Sequence, residues 1–136
     1  MNDNPLGVNI REMTGKIFFI LSVSTDPAST IMLESYLISL VWASLHKVGA
    51  HQYDTDLKDC RRNWKAAKNR YTSGIIGWSS CQDILSDIQD FLFDVAIEQD
   101  IIIIKAEWYN LSAGADLPNQ PKIDPSSILD AIRGVT

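Results

Sequence analysis

Lys16-Ile17-Phe18-Phe19-Ile20-Leu21-Ser22-Val23-Ser24 is the stretch on which the fold class turns. Its odd positions, Ile17, Phe19, Leu21 and Val23, make one apolar face, and the segment is rich in β-branched and aromatic residues. Both features favour a strand over 16–24. Ile10, Met13, Ile17 and Leu21 also fit a helical period, so a helix is the alternative. Read as a strand, the segment joins a second candidate at 101–109. There, four consecutive isoleucines argue for burial, and the Lys105/Glu107 alternation argues for an exposed end.

Outward from this stretch, residues 1–15 mix Pro5, Gly7 and Gly15 with Ile10 and Met13 and read as an N-terminal arm with room for one helical turn. On the other side, Asp26-Pro27 predicts a helix start, because an aspartate accepts a free backbone N–H and proline is tolerated in the first turn. This helix covers about 27–48, ends at Gly49, and is apolar nearly all round, which predicts cover by other elements or another subunit. The segment 31–45, broken by Glu34, Ser35, Ser39 and Ser44, is short for a bilayer span. A second helix is predicted over 56–71, with Leu57, Cys60, Trp64, Ala67 and Tyr71 as its seam. A third covers 80–98, opened by a capping box of Ser80 and Asp83. Residues 112–124, with Gly114, Pro118 and Pro121, read as a loop or arm, and Asp124-Pro125 opens a short C-terminal helix over 125–133. The expected fold is a single α+β domain over 1–136, mainly helical, with three principal helices and two strands.

The charges are patterned. Lys58, Arg61, Arg62, Lys65 and Lys68 recur every three or four residues and fall on one helical arc roughly 120° wide. Asp83, Asp87, Asp90, Asp94 and Glu98 do the same with acids over about 80°. Net charge is −5, so any nucleic-acid contact would be local to the basic stripe. A stripe of one sign docks phosphates, or the opposite stripe on another helix. The two stripes can meet within one fold, or between copies as unlike patches that build rings or filaments. Trp78, placed in the loop before the third helix, is the best interface tryptophan, whereas Trp42 and Trp64 read as core.

Chemistry-bearing motifs are sparse. His46, His51, Asp54, Asp56 and Cys60 are the one run with metal-ligand character. Its spacing matches neither Cys-x-x-Cys nor His-Glu-x-x-His, and an inter-helix turn explains it without a metal. The acidic stripe extends over about 20 Å at 1.5 Å per residue, a line and not a cage. No serine sits in a nucleophile elbow, and Gly74-Ile75-Ile76-Gly77 lacks the Lys-Ser/Thr of a phosphate loop. Cys60 and Cys81 read as reduced, buried groups.

No signal-peptide pattern opens the chain, so an intracellular location, or a particle assembled there, is expected. The expected function is that of a non-enzymatic structural subunit in a multi-subunit assembly such as a phage or virus particle or a nucleoprotein complex. It would need no metal or cofactor and no membrane, and its partners would be protein subunits. The alternative is a helical module that binds a nucleic-acid backbone through Lys58, Arg61, Arg62, Lys65 and Lys68. A third reading is a small metal-dependent enzyme using His51, Asp54 and Cys60.

Overall fold

A computed structural model describes residues 5–24 and 26–105. Among these residues the chain forms four α-helices and no strand: α1 Pro5–Val23, α2 Pro27–Lys47, α3 Asp54–Thr72 and α4 Trp78–Glu98, with a one-turn 3-10 helix at His51–Tyr53 before α3. The α+β expectation is therefore overturned in favour of an all-helical fold. The loop or arm at 112–124 and the helix at 125–133 lie outside the described residues, as do 106–109 of the second expected strand.

The stretch 16–24 is helical as far as Val23, and its middle, 17–21, is covered on every side. Ile17, Phe18, Phe19, Ile20 and Leu21 are all buried. Five consecutive buried side chains carry no periodicity, so the odd-position alternation does not discriminate strand from helix. The Phe18 ring meets Phe93 of α4 edge to face, with centroids 5.2 Å apart. The expected arm at 1–15 is corrected as well: from Pro5 onward it is the first half of α1, with proline at a position that has no intrahelical donor to lose.

Residues 101–105 are irregular and not a strand. Their expected sheet partner, 16–24, is helical as far as Val23. Ile101 and Ile102 are buried, and the Ile103 N–H donates to the carbonyl of Arg11 at 3.1 Å. Two ion pairs hold the segment along α1, Arg11–Asp100 at 3.0 Å and Lys105–Glu12 at 2.9 Å.

The remaining helices start and stop for local reasons. The Ser29 N–H donates to the Asp26 carboxylate at 3.2 Å, and Pro27 follows in the first turn. After α2 the chain reverses through Gly49 at φ 79°, and the Ala50 N–H returns to the carbonyl of Leu45 at 2.8 Å. A side chain there would be strained, which is why glycine occupies the site. Gly74 plays the same part after α3 at φ 77°. The capping box at Ser80 and Asp83 is not the start of α4. The helix opens at Trp78 behind an extended Gly77, so Ser80 lies inside it.

Helix α2 packs against α1, α3 and α4. It is less evenly covered than its composition suggests. Thr30, Leu33, Glu34, Leu37, Ile38, Val41 and Leu45 are buried, whereas Met32, Ser39 and Ala43 are exposed. By length and composition α2 could cross a membrane, yet here its buried stripe faces the other helices. Helices α1 to α4 all contribute to one main core cluster. Ala67, Cys81 and Leu85 form a smaller cluster at the α3–α4 turn. Both cysteines are buried and unpaired with each other.

Glu34 is the unusual member of the core, with a relative exposure of 0%. The Gln89 amide donates to its Oε1 at 2.8 Å, and its Oε2 has no hydrogen-bond partner. Burial pushes its carboxyl up from 4.5 to about 8, against the opposing pull of the Gln89 hydrogen bond. A carboxyl that is harder to ionise in the folded state contributes stability that is fully present below pH 4.5 and is lost as pH rises through about 8. Chemical denaturation across this range is expected to show a fall of roughly 3–5 kcal/mol in the wild type. Glu34→Gln should flatten that dependence, because the replacement cannot ionise.

Candidate functional site

Helix α3 turns Leu57, Cys60 and Ala67 inward. This leaves the basic stripe on its flank toward α2. Between the two helices runs a shallow groove of about 380 Å³ lined by Trp42, Lys58, Arg61, Arg62 and Lys65. It continues into an open depression of about 280 Å³ lined by Ser39, Trp42, Ala43, His46 and Arg61. Trp42 and Arg61 belong to both. The Arg61 guanidinium lies over the Trp42 ring, 4.9 Å from a ring centroid, and donates to Ser39 Oγ at 3.2 Å. This contact is an attraction between cation and ring face.

Arg62 pairs with Asp59 on its own helix at 2.8 Å. Lys68 sits over the Trp64 ring at 4.6 Å, outside the groove. Lys58 and Lys65 are exposed and make no ion pair with a described residue. The groove thus presents cationic groups whose charge is mostly uncompensated.

The acidic stripe points elsewhere. Asp83, Asp87, Asp90, Asp94 and Glu98 are all exposed, on the side of α4 away from its buried Leu85, Ile88 and Leu92. No ion pair among the described residues joins the acids of α4 to the bases of α3. Although α3 and α4 are neighbours, their stripes do not neutralise one another. Trp78 is the first residue of α4 and not a loop residue. It is half-buried, with its ring 5.3 Å from that of Tyr71.

At the end of the groove, the run of potential ligands from the sequence divides. His46 at the last turn of α2, His51 in the 3-10 turn and Asp54 at the start of α3 place one ligand atom each within 4.8 Å of the others. His46 Nε2 lies 2.6 Å from Asp54 Oδ1, and the His46 and His51 rings meet edge to face with centroids 4.4 Å apart. The Trp42 indole N–H donates to Asp54 Oδ1 at 2.9 Å. The hydrogen bond with His46, helped by that from Trp42, holds the Asp54 carboxyl below its ordinary range.

Asp56 and Cys60 are outside this cluster. Asp56 is exposed, and Cys60 belongs to the core. Burial first, and the charge of Glu34 second, push the Cys60 thiol up to about 11, so no thiolate is available there. The arrangement that would join Cys60 to His51 and Asp54 in one catalytic centre is not formed.

Trp42 has a second role that its hydropathy does not show. It is half-buried and packs against the core as expected, and it also forms the wall shared by groove and cluster. The signal that could have found it is the pair of polar residues Ser39 and His46, with the small Ala43 between them, beside it on α2.

No protein-family model, curated protein or solved structure matches this chain. Its function is accordingly read from the geometry above. Trp42→Phe keeps the ring contact but removes the indole donor to Asp54. It should lower stability by about 1 kcal/mol, read as a shift in the denaturation midpoint.

Proposed function

We propose that this chain is a non-enzymatic structural and interaction subunit of a multi-subunit assembly, docking through its two charged helix faces. One observation carries the reading: the acidic stripe and Lys58, Arg62 and Lys65 of the basic stripe are exposed, and no ion pair among the described residues joins the two. Complementary surfaces that do not meet inside a molecule can meet between molecules. The α3 face of one copy against the α4 face of the next is a contact of unlike patches, which propagates into rings or filaments. Each exposed pair contributes only ~0–1 kcal/mol. The stripes therefore set register and partner choice, and the strength comes from their number. A phage or virus particle, or a nucleoprotein complex, is the setting such a subunit suits.

A second reading rests on the groove itself. Trp42 with Lys58, Arg61, Arg62 and Lys65 offers an aromatic face beside a row of cations, the combination that tracks a nucleic-acid backbone.

Charge reversal separates these readings. Lys58→Glu/Lys65→Glu and Asp87→Lys/Asp90→Lys should each abolish self-association in sedimentation experiments, and mixing the two variants should restore it. Failure of the mixture to associate would remove the copy-to-copy reading. Under the second reading, a single-stranded oligonucleotide binds wild type and Asp87→Lys/Asp90→Lys, fails to bind Lys58→Glu/Lys65→Glu, and weakens steeply with added salt.

A further inference from the structure

We propose that His46, His51 and Asp54 form a binding site for a divalent transition-metal ion of the Zn²⁺ class. None of its three ligands belongs to either charged stripe, although the site adjoins the basic groove through Trp42 and Arg61.

Its geometry comes from the backbone. Gly49 at φ 79° folds the chain back on the end of α2. The 3-10 turn then sets His51 against His46, and the first residue of α3 supplies Asp54. Three donors from three elements converge within 4.8 Å. A tetrahedral Zn²⁺ with bonds of about 2.0–2.1 Å wants its donors roughly 3.3 Å apart. His46 and Asp54 are already closer than that, at 2.6 Å, as a hydrogen-bonded pair. A metal ion would replace the shared proton. The remaining closure falls to His51, which is exposed and whose ring makes no hydrogen bond to a described residue. A change of side-chain rotamer supplies it.

The donor set selects the ion. Two imidazoles and one carboxylate suit Zn²⁺, Co²⁺, Ni²⁺ or Cu²⁺, whereas Mg²⁺ and Ca²⁺ prefer oxygen ligands alone. The Trp42 N–H on Asp54 Oδ1 is the outer hydrogen bond that orients a ligating carboxylate. A hydrogen bond between His46 and Asp54 explains those two side chains. It does not explain the second imidazole placed against them. Three protein ligands leave a coordination position beside the open depression that His46 shares with Trp42 and Arg61, where water or an anion completes the sphere.

The test is calorimetric titration of ZnCl₂ into the chelator-stripped full chain. One equivalent of Zn²⁺ should bind and raise the melting temperature of the wild type. CoCl₂ should give the visible ligand-field absorption of a low-coordinate site, without the near-ultraviolet band of a thiolate ligand. His51→Ala, an exposed change with no hydrogen bond to lose, and Asp54→Asn should each weaken Zn²⁺ binding at least tenfold, with helical circular dichroism unchanged. Three results would overturn the proposal: no stoichiometric Zn²⁺ binding, binding undiminished in His51→Ala, or a cobalt spectrum that shows thiolate ligation.

Discussion

The buried stripe of α2 is the constraint on which the rest of the structure depends. Leu33, Leu37, Val41 and Leu45 all have a relative exposure of 0%, and α2 contacts each of the other three helices. With side chains i, i+4 and i+8 already committed to the core, the rotation of α2 about its axis is fixed. That rotation also carries Glu34 inside. A carboxylate in apolar surroundings is costly to charge, so the core holds it neutral and anchors it to Gln89 by one hydrogen bond. The centre of the bundle is therefore sensitive to pH, although nothing on its surface indicates this.

The same rotation builds the surface. Turning Leu37 and Val41 inward turns Ser39, Trp42, Ala43 and His46 toward the flank of α3. There they meet the basic stripe, and Arg61 closes over Trp42. The Gly49 reversal then brings His51 and Asp54 back to the end of α2. Groove and histidine–aspartate cluster are thus two consequences of one helix orientation and one left-handed glycine. The acids of α4 occupy the opposite side of their own helix from the core, so the molecule keeps two faces of opposite sign.

Much of this was legible in the residues. The extents of α2, α3 and α4 follow from apolar spacing, from Asp26-Pro27 and from the glycines, and differ from the structure by a few residues at each end. The charged stripes are periodic and could be read directly, as could the buried cysteines. What failed did so for physical reasons. Residues 17–21 are covered on every side, which erases the periodic signal that separates helix from strand. Residues 101–104 looked like a strand because isoleucine favours burial, but Ile101 and Ile102 are buried in the helical core and Ile104 is exposed. Trp42 packs against the core as its hydropathy implies, but hydropathy does not record which flank of a helix is left open, so its groove face was not legible. His46, His51 and Asp54 follow no motif spacing, because a left-handed turn and a 3-10 turn bring them together, and linear spacing does not encode that.

The most direct test of the central claim, that the charged faces meet between molecules, is multi-angle light scattering of the purified wild-type chain at increasing salt. The account predicts a species larger than the single chain at low salt that dissociates as salt screens the faces. A monomer at every salt concentration would contradict it.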